Sequence, residues 1–385
     1  MEDARRDLAR VLAAEQSEPL AAWLENHTVH QEDLVWLHRQ GLVILGFYRM
    51  QQAGLLDKLP VDVAALWQDI YQQTTVTTAS MDWEIEHVMA ALTQATVEFI
   101  WMKGAALAYT VYPNPVCRGR GDLDLWIQVE QLSVATDVLQ DLGYRLSSKE
   151  DRPDALALLV GGEQKMVSHG SGLDLIELQW PAIRGEWVRC TTAVDHAGIW
   201  QRRSPMAPEG QNFCVMAPED ALIHLCLHQA INHQFGTPWL RNLLDVHLLV
   251  ATSPLDWTQV AARATSWRLA TVVWTVLKLA QRLLDTAVSD AFLQSLAPPR
   301  WRRWLIDRLR LDEAVVAMRP GGYGYRRFLI QLVLIDRGCD AVGLLWRGLF
   351  PEKAWLQARH GVAPGGSLWR LRLLHVWRLA TSARA

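Results

Sequence analysis

The segment DLDLWIQV, residues 122–129, alternates acidic and apolar side chains with a period of two. In a strand, alternate side chains share a face, so Asp122 and Asp124 project together while Leu123 and Leu125 pack behind them. Their Cα atoms then lie roughly 6.5–7 Å apart, and two carboxylates on one half-buried face repel each other. A fold that keeps such a pair needs positive charge between them. A divalent cation held by oxygen ligands and completed by water or substrate phosphates is the usual source.

The surroundings of this strand are mostly helical. DARRDLARVLAAE, HQEDLVWLHRQGLVILGFYRMQQAG, PVDVAALWQDIYQQ and MDWEIEHVMAALTQA all place apolar residues three and four apart before residue 96. VEFIWM (97–102) reads as a buried strand, KGAALAYTVY as a helix beginning near Gly104, and PNPVCRGRG as loop. EQLSVATDVLQDLGY is an amphipathic helix, YRLSS a short strand, RPDALALLVGGEQKMVSH a variable stretch and LDLIELQW (173–180) another strand. The helical period returns from MAPEDALIHLCLHQAINH onward, interrupted by Gly-rich loops at RPGGYGY (319–325) and VAPGGS (362–367). The expected fold class is α+β: N-terminal helices over 1–85, a small mixed-sheet core over 86–205, and a larger helical domain over 206–385.

At 385 residues, two or three units are expected. No apolar run is long enough to cross a bilayer. The charged start MEDARRDLAR lacks the apolar core of a signal peptide, which predicts a cytoplasmic protein. The five cysteines show no C-x-x-C spacing, so neither a disulfide framework nor a zinc site is indicated. Charge is uneven: residues 299–385 hold 15 Arg and one Lys against six acids, whereas the remainder holds 22 basic and 35 acidic residues. Such a segment suits a polyanion or an acidic partner, or the acidic body of its own chain, which is the simpler reading. Trp346, Trp355, Trp369 and Trp377 recur within apolar helices, a spacing expected of core packing with arginines at the outer edge; RNA or DNA is the alternative ligand, with Arg370 and Arg372 as contacts.

A third carboxylate on a neighbouring strand would complete a two-ion clamp for phosphoryl transfer. Asp174 and Glu177 are the candidates, on opposite faces of LDLIELQW. Glu177 is preferred because it shares its face with Gln179, and a polar face is easier to hydrate beside an ion. Lys103 and Gly104 stand at a strand-to-helix junction, where backbone amides favour phosphate. Arg118 and Arg120 lie four and two residues before the first aspartate, within reach of the same phosphates or of the carboxylates. Taken singly, each of these has a plain reading as a turn, a solvated loop or an ordinary strand.

In combination they resemble the nucleotidyltransferase fold of the DNA polymerase β superfamily. The order MKGAAL (102–107), Arg118, DLDLWI (122–127) and IELQW (176–180) resembles a poorly characterised bacterial nucleotidyltransferase family in particular. APEDALIHLCLHQAINHQFGTPWLRNLLDVHLL (217–249) and LFPEKAWLQARHG (349–361) extend the similarity. The resemblance implies Asp122, Asp124 and Glu177 as ligands for Mg²⁺ or Mn²⁺, and Lys103, Gly104, Ala105, Arg118 and Arg120 at the nucleotide. It further implies His228, Arg241, Asp245 and Gln179 lining an acceptor cleft, and NTP as substrate. The acceptor it implies is a peptide, a small metabolite or a sugar, with nucleic acid less favoured. Ala105 departs from the Gly or Ser of the wider superfamily, the gap from Ala105 to Asp122 is long, and Glu177 and Gln179 replace Asp and His. Those last substitutions also fit a descendant that binds without turnover. For the helical pair His224 and His228, four apart, a satisfied core position is the expectation for His224, while His228 is divided between core and cleft.

Overall fold

The computed structural model describes residues 2–147, 162–168, 170, 172–206, 213–235, 239–317, 325–360 and 367–382. Most of the variable stretch beginning at Arg152 and of the two Gly-rich loops lies outside them.

Seven strands form one mixed sheet: β1 (Phe99–Met102), β2 (Leu123–Ile127), β3 (Arg145–Leu146), β4 (Glu163–Val167), β5 (Leu175–Gln179), β6 (Ser204–Met206) and β7 (Phe213–Val215). Their order is β3-β4-β5-β2-β1-β7-β6. β2 runs antiparallel to β1 and parallel to β5, and β1 is parallel to β7. The fold class is α+β, as the change of period from 3.6 to 2 indicates.

Alternation along the central strands sorts side chains to two cores. Leu123, Leu125, Ile127, Ile176 and Leu178 pack on one face against Met81, Ile85, Val88 and Leu92 and against Ala135 and Leu139. Ile100, Met102 and Trp126 face the other way and join the larger core of the helices. Because Asp124 is the register partner of Met102, its carboxylate also points toward the helical side. The sheet thus buries a largely apolar face and presents a partly polar one to helix Pro218–Leu227 and the π turn His228–Asn232 that extends it.

Three features depart from the sequence expectation. The two helices read at 60–73 and 81–95 are one helix of 34 residues, Val61–Gln94, which crosses the 85/86 boundary without a break. β4, whose residues EQKMV are largely polar, and the short β6 and β7 gave no alternating signal, and β7 carries the sheet past residue 205. Trp346, Trp369 and Trp377 are exposed at 62%, 68% and 63%, not packed in a core. Helix Leu368–Ser382 buries its opposite side instead, through Leu371 and His375, whereas helix Gly338–Leu349 has no buried residue.

The N-terminal helices are tied to the long helix through Trp67, which is fully buried and donates its indole N–H to the Val43 carbonyl at 2.7 Å. Gly46 lies under this ring; a Cβ there would stand 2.7 Å from Trp67 Cζ2 and 3.3 Å from Leu12 Cδ1. The expected cost of Gly46→Ala is about 1–3 kcal/mol, the range for overpacking a filled core, read as a lower urea midpoint with an unchanged slope.

Candidate functional site

The parallel register of β2 and β5 sets Asp124 directly against Glu177, and Asp122 lies one alternation earlier on the same face. Carboxylate oxygens of Asp122, Asp124 and Glu177 all fall within 4.8 Å of one another, the one such ligand group among the described residues. Asp124 and Glu177 are 3% and 5% exposed, so water does little to separate their charges. Burial, then the neighbouring Asp124, pushes the Asp122 carboxyl above its ordinary pKa.

Positive groups gather around this cluster. The Lys103 ammonium pairs with Asp124 and lies 3.6 Å from Glu177. Lys165, the register partner of Glu177 across β4 and β5, pairs with it. Arg184, in the segment after β5, pairs with Glu163 and stands 3.7 Å from Glu177. Gln179 donates its amide to Asp124 at 2.8 Å and, less closely, to Glu177 at 3.4 Å.

At the junction after β1 the left-handed residue is Lys103, with φ 52°, rather than Gly104. Gly104 is needed for a different reason. A Cβ on it would lie 3.2 to 3.3 Å from the Arg118 guanidinium, which is stacked against the turn. Ala105 turns its side chain into the apolar core behind the sheet, because the helix Lys103–Thr110 places it on the inner face.

Arg118 is fixed by helix Trp239–Thr252. Its Nε and Nη2 donate to the two oxygens of Asp245 at 2.7 and 2.8 Å, and Tyr112 donates its hydroxyl to the same carboxylate at 2.8 Å. Burial works against the charge of Arg118, but Asp245 outweighs it and leaves the guanidinium more basic than usual. Arg241 donates to the Gly119 carbonyl at 3.3 Å, and Arg118 donates to it at 2.8 Å, so two arginines hold the loop that leads into the aspartates. Burial, then Arg118, lowers the Arg241 pKa to about 10. Arg120 is turned elsewhere, donating to Asp82 at 2.6 Å with its guanidinium over the Tyr109 ring. Between the sheet and the helices lies a cavity of about 300 Å³ lined by Lys103, Gly104, Arg118, the three acids and the side chains of His228, Arg241 and Asp245. Gln179 and His224 line a smaller cavity adjoining it.

With this geometry in view, the comparisons with known proteins are decisive on one point. A family described as "Uncharacterised nucleotidyltransferase" matches residues 28–285, more than half of the chain. The chain belongs to that family. An antigenic nucleotidyltransferase-like protein from Paracoccidioides brasiliensis, known from its crystal structure, is similar at 18% identity over 55% of this chain and 92% of that one, with a TM-score of 0.35, too slight an overlap to argue from. Among curated proteins none matches.

Within this nucleotidyltransferase family member, several cleft residues escaped sequence reasoning. Lys165 and Arg184 sit in stretches with no recognisable pattern, and only strand pairing brings them to Glu177. Tyr112 lay at the end of a segment read as helix, yet it anchors Asp245. Asn232 and His233 reach the cavity because the helix widens into a π turn at His228–Asn232, a feature frequent at functional sites.

Burial, followed by the Lys103 charge, holds His224 and His233 to about 3 and about 4, and drives His228 well down as well. All three rings are therefore neutral near pH 7. Because these values lie below the ordinary 6.5, the unfolded chain takes up protons first on acidification. Stability from the neutral rings is complete above about 6.5 and falls by roughly 1.4 kcal/mol per pH unit per ring on the way down. His224→Gln is expected to flatten the stability–pH curve between about 6 and 4, as measured by urea unfolding at each pH. Asp245→Ala leaves the Arg118 guanidinium buried and unpaired, and about 3–5 kcal/mol should be lost. Asp245→Asn with intact stability would show that the ion pair contributes little.

Proposed function

We propose that the protein is a Mg²⁺- or Mn²⁺-dependent nucleotidyltransferase that moves an NMP group from an NTP to an acceptor and releases pyrophosphate. The observation that carries this reading is the convergence of three carboxylates, oxygens within 4.8 Å, on the wall of the cavity. The residues fit a hard divalent ion: every acidic donor is oxygen, and three carboxylates converge within 4.8 Å of one another. Bound there, such an ion would polarise the phosphoryl oxygens and stabilise charge that develops on them.

Asp122 and Asp124 would hold the ion, with Glu177 contributing on the acceptor side. Lys103, mounted at the start of a helix and paired with two of the acids, would shift its ammonium to the β- and γ-phosphates, beside a helix N-terminus that favours negative charge. Arg118 and Arg241 supply fixed positive charge opposite. The Arg241 Nε is buried and has no hydrogen-bond partner among the described residues, a donor left over for an anion. His228, neutral through burial, would stand at the acceptor, whose chemical class we place among peptides, small metabolites and sugars.

One observation favours a second reading, binding without turnover. Both Glu177 oxygens are already engaged, by Lys165 on one side and by Lys103, Gln179 and Arg184 on the other. Calorimetry with each NTP and Mg²⁺, followed by a pyrophosphate-release assay with peptide, sugar and RNA acceptors, separates the two. Binding without release in every mixture supports the second reading. For the first, Asp122→Asn and Asp124→Asn are each expected to lower Mg²⁺-dependent turnover by a factor on the order of 10² or more, with the unfolding midpoint preserved. Full activity in either variant removes the assignment.

A further inference from the structure

Helix Gly338–Leu349 leaves Val342, Trp346 and Leu349 exposed at 65%, 62% and 50%. These positions are four and three apart and so lie on one face. Helix Leu368–Ser382 does the same with Trp369, Leu373 and Trp377, at 68%, 68% and 63%. A contact links the two helices: His375 Nε2 lies 3.1 Å from the Gly348 carbonyl oxygen. Apolar stripes of this size on an isolated surface mark a contact site.

Charge says what kind. Helix Leu368–Ser382 contains Arg370, Arg372 and Arg378 and no acid. The Arg372 guanidinium lies beside the stripe, 5.7 Å from the Trp369 ring centre. Acids of this part of the chain are already matched, Asp312 by Arg282 and Asp340 by Arg268. Helix Leu368–Ser382 is therefore apolar along the middle of this face and cationic along its edge, whereas Arg347 of helix Gly338–Leu349 is paired with Glu352.

We propose that the exposed stripe of helix Leu368–Ser382, with that of helix Gly338–Leu349 as a second contact, docks on an anionic lipid surface. An amphipathic helix with Trp and Leu on one side and Arg beside them rests in the headgroup boundary, its apolar stripe in the acyl region and its arginines on the phosphates. No helix among the described residues is long and apolar enough to cross a membrane. Single-stranded nucleic acid would use the tryptophans but has no use for Val342, Leu349 and Leu373, which cannot stack. A second copy set face to face would bring its arginines against these. Both helices also lie outside residues 28–285, the part shared with the nucleotidyltransferase family, so the face is separate from the cleft and its fate does not depend on the activity.

The test is co-sedimentation of the full chain with vesicles of phosphatidylcholine alone and of phosphatidylcholine with phosphatidylserine. Binding is expected to the second set only and to weaken as salt rises. The triple variant Trp369→Ser, Leu373→Ser, Trp377→Ser should lose it, and the pair Arg370→Gln, Arg372→Gln should weaken it by on the order of tenfold. Val342→Ser with Trp346→Ser, on the other helix, provides an independent check should the first variant misfold. No sedimentation with anionic vesicles overturns the proposal. So does equal binding to both lipid mixtures, a stable dimer in solution that shields Trp369 and Trp377 from quencher, or RNA binding that the serine substitutions leave unchanged while vesicles are ignored.

Discussion

Asp124 and Glu177 face one another across adjacent parallel strands with almost no solvent between them, and Asp122 stands one alternation away. Like charges in that setting destabilise a fold unless positive groups are brought to them. The elements around the sheet face do this from several directions: Lys103 comes from the end of β1, Lys165 from β4, and Arg184 from the turn after β5. The central strand order β4-β5-β2-β1 follows the same logic, since it places a cationic residue on either flank of the acids. A charge pattern that would be costly in a plain core is thereby held ready at the wall of a cleft.

The helical part of the molecule contributes by restraint as much as by contact. Asp245 grips Arg118 with two hydrogen bonds, Tyr112 braces Asp245, and Arg118 and Arg241 converge on the Gly119 carbonyl. The loop that precedes the aspartates is thus fastened to helix Trp239–Thr252. Bidentate pairing of a planar guanidinium fixes orientation as well as distance. Any shift of that helix moves the start of β2, so the helical side and the acidic side of the cleft are mechanically joined.

Much of this was legible in the chain itself. Alternation exposed β2 and β5, the acidic pair announced its own face, and the choice of Glu177 over Asp174 followed from which neighbours share a side; the register agrees, since Glu177 and not Asp174 opposes Asp124. The order of Lys-Gly, Arg and D-x-D pointed to the family that matches residues 28–285. Long-range pairing was not legible. Lys165 and Arg184 carry no local pattern, and their partners lie across strands. Arg120 looked equivalent to Arg118 by position, yet Asp82, 38 residues earlier, captures it. The tryptophans misled for a related reason: helical spacing shows that a face is apolar, not that it is buried.

The helix Val61–Gln94 gives the molecule a property that no single contact supplies. Val63 and Trp67 near its beginning belong to the core of the helices, whereas Met81, Ile85, Val88 and Leu92 near its end belong to the layer behind the sheet. At 1.5 Å per residue its 34 residues extend about 51 Å. It acts as a strut pinned at both ends. The floor beneath the acids and the bundle on their far side therefore share one beam, and the gap between them is gauged by its length and not by a flexible linker.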